Sequence, residues 1–139
     1  MILLQDQSHE ISGESQSKSE RDRITMVKVG CDIVNIKRFE KSVENGGEKF
    51  LDRIFSSYEL ARGSKTETLA GIFAAKEAVI KALGINAGKW HEIEVRHQKN
   101  GKPTLNLKRF AKEKDYIHDL SIAHDGGYAM ALVCFIKKD

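Results

Sequence analysis

Leu69, Ile72, Phe73, Ile80 and Leu83 recur at helical spacing, which predicts a long helix over 66–83 with that stripe turned to the core. Ser64 and Glu67 are spaced as a capping box before it, and Gly84 stands where a left-handed terminating residue is wanted. Glu77 and Lys81 are four apart and therefore neighbours, on a side where Ala70 and Ala74 leave room beside them. Upstream the period changes. Val27, Val29, Cys31 and Ile33 alternate as one face of a strand over 27–34, with Asp32 on the other face. Helical stretches follow at 36–44 and 48–61, separated by a turn at Gly46–Gly47. Beyond the long helix the pattern predicts strands at 91–97, 103–107, 119–124 and 128–136 and a short helix at 108–114. Asn100–Gly101 and the glycine pair Gly126–Gly127 are hairpin signals. That order predicts an α+β fold, a mostly antiparallel sheet packed against one long helix.

Three polar positions stand out against this frame. Aspartate is depleted in strands, so Asp32 either ends an edge strand in solvent or, once buried, finds a partner or a cation. Glu77 and Lys81 are either an exposed pair worth about 0.2–0.5 kcal/mol or a charged pair that receives a ligand. In the segment 119–128, Leu120 and Ile122 face the core, Ser121 and Ala123 the opposite side, and His124 lies at the rim of the glycine turn. A single histidine there reads by itself as solvated or capping.

Taken together, these segments resemble the holo-acyl-carrier-protein synthase family of phosphopantetheinyl transferases. Gly30-Cys31-Asp32-Ile33-Val34 matches the opening strand of that family. Phe73-Ala74-Ala75-Lys76-Glu77-Ala78 with Lys81-Ala82 matches its signature helix, and Ser121-Ile122-Ala123-His124-Asp125 its late strand. Trp90-His91-Glu92-Ile93-Glu94-Val95 and Asn100-Gly101-Lys102-Pro103 match segments between them, in the right order. The resemblance runs from Met26 to the C-terminus.

It implies transfer of the phosphopantetheine arm of coenzyme A to a serine of an apo acyl carrier protein, with adenosine bisphosphate leaving, in support of fatty acid biosynthesis. Attack at a pyrophosphate phosphorus needs charge neutralisation and alignment more than covalent participation by the protein. By family position Asp32 and Glu77 hold Mg²⁺, which keeps several waters and binds through few carboxylates. Glu77 and Lys81 become the catalytic pair, the lysine offsetting charge on the leaving group. Either a water on the metal or Glu77 takes the serine proton, and both bases stay open. Coenzyme A contacts fall to Lys81, Gly84, Asn100, Gly101, Pro103, Ser121 and His124. Two positions depart from the family pattern. Ile72 replaces an arginine that helps bind the ribose phosphate, a contact left to His124, Arg62 or Lys65, and Asn35 replaces a usual glutamate outside the metal set. Relatives form trimers with sites between subunits, so a homotrimer is expected.

Composition adds boundaries. With 139 residues, 40% of them hydrophobic, the chain suits one soluble domain. It contains no apolar run long enough to span a bilayer and no signal-peptide core, which makes the cytoplasm the expected compartment. Residues 1–25 are polar and are expected to be a disordered or non-native extension, leaving 26–139 as the expected transferase domain. Cys31 and Cys134 fall in strands and are expected as buried free thiols. The net charge of +3 is modest, yet Lys37, Arg38, Lys41, Lys49 and Arg53 gather after the first strand, where they would steer an acidic carrier protein. Aromatics are 7% with no interleaved basic stripe, which argues against nucleic acid. The competing classes are a Mg²⁺-dependent nuclease or nucleotide hydrolase and a non-catalytic module that binds coenzyme A or a carrier protein.

Overall fold

The structure is a computed structural model in which residues 26–63, 65–107 and 115–138 are described. The expectations for residues 1–25 and for a short helix at 108–114 lie outside them. Strand β1 (Val27–Asn35) leads into helix α1 (Ile36–Ile54), a short helix α2 (Ser57–Arg62) and the long helix α3 (Thr66–Leu83). A 3-10 turn (Trp90–Glu92) then precedes strands β2 (Glu94–His97), β3 (Pro103–Asn106), β4 (Tyr116–Asp125) and β5 (Tyr128–Lys137). All pairing is antiparallel: one sheet has the order β1-β5-β4 and a second contains β2 and β3. The fold is α+β as expected.

Glycines set the turns. Gly126 and Gly127 adopt φ 55° and 84° between β4 and β5, the left-handed pair that a two-residue hairpin needs. Gly47, at φ 58°, kinks α1 where a turn between two helices was expected, and Gly84 ends α3 at φ 65° with its N–H on the Ile80 carbonyl. The capping box expected at Ser64 and Glu67 rests on Ser64, which lies outside the described residues. The N-cap of α3 is Lys65, which makes no side-chain cap bond. A capping box stands one helix earlier, between Ser56 and Glu59. The strand expected from 91 is likewise shorter, because residues 90–92 wind into the 3-10 turn.

Helix α3 lies across the sheet with ten buried residues, and its small side chains make that contact close. A methyl group added at Gly30 of β1 would stand 1.9 Å from the Ala78 carbonyl oxygen. Ala70, Ala74 and Ala78 are fully buried. The small-residue side of α3 thus serves close approach to the strand and not room for a ligand. The strand phase follows. Gly30, Asp32 and Val34 face the helix, whereas Val27, Val29, Cys31 and Ile33 look outward and are exposed. Cys31 is therefore not buried as expected, and Cys134 is half-buried, both as free thiols.

Candidate active site

Strand alternation aims Asp32 at α3, and Gly30 lets the helix close on the strand, so the carboxylate arrives beside Lys81. Lys81 Nζ donates to Asp32 Oδ1 at 2.9 Å and to the Cys31 carbonyl at 3.2 Å. The hydrogen bond to Asp32 is the largest cause holding the Lys81 ammonium above the ordinary lysine value. Glu77, one turn before Lys81, accepts the Trp90 indole N–H on Oε1 at 2.8 Å. Asp32 and Glu77 line one pocket of about 460 Å³ together with Arg38 and Ser42, and Phe39, Phe50 and Phe73 form its apolar side. Asn35, one of the two departures, caps α1 there by accepting the Arg38 N–H at 3.0 Å.

The donor set suits a hard divalent cation that keeps its waters. Among the described residues no group of three His, Cys, Asp or Glu side chains gathers, so two carboxylates are what this pocket offers, and Mg²⁺ binds in that way. The Lys81 ammonium already balances Asp32, so a cation held by Asp32 would compete with the lysine for that carboxylate.

A second cluster forms at the other end of α3. His124 Nε2 donates to the Glu67 carbonyl at 2.9 Å and packs beside Gly71. Thr68, Ile72, His97, Gly101, Pro103 and His124 surround a pocket of about 200 Å³. Burial, then the nearby Arg62 charge, pushes the His97 imidazole down, and its Nδ1 is buried with no hydrogen-bond partner among the described residues.

A family model described as the 4'-phosphopantetheinyl transferase superfamily matches residues 28–133, which include both clusters. The chain belongs to that superfamily. It is similar to the holo-[acyl-carrier-protein] synthase of Sulfurovum sp. (strain NBC37-1), at 41% identity over 111 residues, covering 76% of this chain and 93% of the relative. Among solved structures it is similar to Helicobacter pylori holo-[acyl-carrier-protein] synthase in complex with coenzyme A (TM-score 0.70, 35% identity, 76% and 96% of the two chains). It also resembles the Neisseria meningitidis holo-[acyl-carrier-protein] synthase, with TM-score 0.71 and 30% identity over 81% and 100% of the two chains.

Within this member of the superfamily, the residues singled out from sequence fall into distinct places. Asp32 and Glu77 line one pocket, with Lys81 held on Asp32 beside it, and His124, Gly101 and Pro103 line another that shares no lining residue with the first. Ser121 is exposed on the outer sheet face, paired with Leu132, and lines neither pocket. Asn100 shapes the β2–β3 turn by accepting the Lys102 N–H at 3.0 Å, and Gly84 is the α3 cap. All five basic docking residues are exposed. Of these, Arg38 lines the carboxylate pocket and Lys37 a neighbouring cleft with His124, while Lys41, Lys49 and Arg53 lie elsewhere on α1.

Sequence reasoning gave no role to Trp90 or Lys76. Their signals were present: the chain has one tryptophan, whose indole N–H wants an acceptor when half-buried, and Lys76 falls within the apolar stripe between Ile72 and Ile80.

Proposed function

We propose that this chain transfers phosphopantetheine from coenzyme A to a serine of apo acyl carrier protein, using Mg²⁺ held by Asp32 and Glu77. The observation that carries the reading is the convergence of these carboxylates on one pocket, with Lys81 on Asp32, in a chain of this superfamily. Mg²⁺, when bound, neutralises pyrophosphate oxygens as charge develops on them. Arg38, which lines the pocket, and Lys81, held on Asp32 beside it, supply further positive charge, and Phe39, Phe50 and Phe73 give a wall that excludes water from one side. Glu77 lies where a base for the serine hydroxyl is needed. We place this unit at 26–139. Incubation with labelled coenzyme A, apo carrier protein and Mg²⁺ tests the reading, with label on the carrier protein as the expected result. Hydrolysis without transfer would favour a nucleotide hydrolase, and binding without turnover a non-catalytic module.

The coenzyme A contacts of Gly101, Pro103 and His124 belong in the second pocket. Ile72 is 1% exposed and part of the core, so an arginine there would bury its charge, which leaves His124 as the better candidate for the ribose phosphate. A hydrogen bond to a charged group is worth about 1.5–3 kcal/mol. His124→Ala is accordingly expected to narrow the kcat/KM preference for coenzyme A over dephospho-coenzyme A by about ten- to a hundredfold. An unchanged preference would remove His124 from this role.

A homotrimer explains the outer sheet face. Val29, Ile33, Ile117, Met130, Leu132 and Ile136 are all large, apolar and 38–63% exposed on one side of the β1-β5-β4 sheet. A continuous apolar patch of that kind marks an association surface. Two pockets opening separately on one chain also fit a site completed by a neighbour. Leu132→Lys, at the central strand, is expected to give a monomer by light scattering after size exclusion, with transfer lost alongside. A trimeric mass in that variant would place the interface elsewhere.

A further inference from the structure

The Glu77 carboxylate is held from behind. Its Oε1 accepts the Trp90 indole N–H at 2.8 Å, and the indole packs against Phe73 with ring centroids 6.0 Å apart. The Trp90 main chain is anchored in turn, since its carbonyl accepts Lys76 Nζ at 3.2 Å. Lys76 directs its other two protons to the Ile54 carbonyl at 2.6 Å and to Glu59 Oε2 at 2.7 Å. Glu59 is fixed by the Val95 N–H on Oε1 at 2.9 Å and by its capping box. Both members of the ion pair are fully buried, and each proton of the ammonium has an acceptor. Glu59, Lys76, Trp90 and Glu77 thus form a continuous chain of bonds from the core to the pocket. Lys76 and Glu77 are adjacent in sequence but leave α3 on different sides, and Trp90 bridges them, by its carbonyl to one and its indole to the other.

We propose that Trp90 is a positioning residue: the Glu59–Lys76 pair clamps its main chain, and its indole N–H fixes one oxygen of Glu77 so that the other is left for the divalent cation. This rests on Glu77 being a metal ligand, as read above. Partners behind a metal ligand set its orientation, and losing one typically weakens metal binding about 10–100-fold.

The decisive variant is Trp90→Phe, which keeps a ring against Phe73 and removes only the donor. Calorimetric titration with Mg²⁺ in the presence of coenzyme A is expected to show roughly tenfold weaker binding, with turnover recovering as Mg²⁺ is raised. A filler role would lower the melting temperature while leaving the Mg²⁺ dissociation constant unchanged, and that result overturns the proposal. A second variant, Lys76→Met with Glu59→Leu, strands no charge and removes the anchor of the Trp90 carbonyl. It is expected to weaken Mg²⁺ binding in the same direction and to add little on top of Trp90→Phe, whereas full additivity counts against one chain of bonds. Trp90 is also the only tryptophan, so its emission in the wild type should change on Mg²⁺ addition, independently of activity. Glu77→Gln separates the two layers. If it leaves Mg²⁺ binding intact, the ligand assignment fails and the proposal with it. If it weakens binding while Trp90→Phe does not, the positioning role alone is overturned.

Discussion

Asp32→Ala and Glu77→Ala are each expected to remove most transfer activity, lowering kcat/KM by about 10²–10³-fold, the loss that follows removal of one preorganised charge-stabilising group. The structure predicts that neither loss comes from unfolding. Asp32 meets a half-exposed lysine, and an exposed ion pair contributes only about 0–1 kcal/mol, so its removal frees Lys81 into solvent at little cost. Glu77→Ala leaves the Trp90 indole N–H without its acceptor, a cost of about 1–3 kcal/mol if water cannot reach it and less at this half-buried position. Melting curves close to wild type beside lost transfer would support the assignment. Near-normal turnover at limiting Mg²⁺ with unchanged metal affinity, in either variant, would sink it for that residue.

Lys76→Met has the largest expected effect on stability. The substitution leaves the Glu59 carboxylate fully buried with no cation, and breaking a buried pair from one side costs about 3–5 kcal/mol. That is a large share of the roughly 5–15 kcal/mol that holds a typical domain, and it corresponds to a fall in melting temperature of about 10–20 °C. The pH dependence has a definite sign. Burial already holds the Glu59 carboxyl above its ordinary value, against the attraction and hydrogen bond of Lys76. Without the ammonium the folded state favours the protonated acid still more. A carboxyl whose folded pKa lies above its unfolded one adds stability below the unfolded pKa and loses it as pH rises through the folded one. The deficit of Lys76→Met should therefore narrow toward pH 4–5 and widen toward pH 8. Denaturant melts at both ends of that range check this, and a deficit that does not change with pH would show that losing the ammonium leaves the folded-state titration of Glu59 unchanged.

Part of the site was legible because a residue conflicts with its local surroundings. An aspartate inside a run of β-formers is unfavourable for local structure and so points to chemistry, whereas a glutamate one turn before a lysine favours a helix by itself and points there only through its match to the family's helix. Lys76 carried the same kind of signal, a charge in an apolar stripe, but its meaning depends on Glu59, seventeen positions earlier, on Trp90 and on the Ile54 carbonyl. Nothing local names those partners. The outward apolar face of β1 was misjudged for a related reason. Alternation separates two faces of a strand without saying which one the helix covers, and here the glycine-bearing face is covered because α3 can approach only where no Cβ intervenes.

By itself the sequence determined the elements, since periodicity and turn glycines are local properties: the long helix, the first strand and the two hairpins stand near where pattern places them. It also determined the family and singled out Asp32, Glu77 and Lys81, whose types and spacing are written along the chain. Tertiary structure alone decided which strand face is exposed, that Asp32 meets Lys81, and that Trp90 and the buried Lys76–Glu59 pair stand behind Glu77. Those are contacts between residues 13 to 49 positions apart, set by how α3 docks on the sheet, and burial and pairing of that range exist only once the chain has packed.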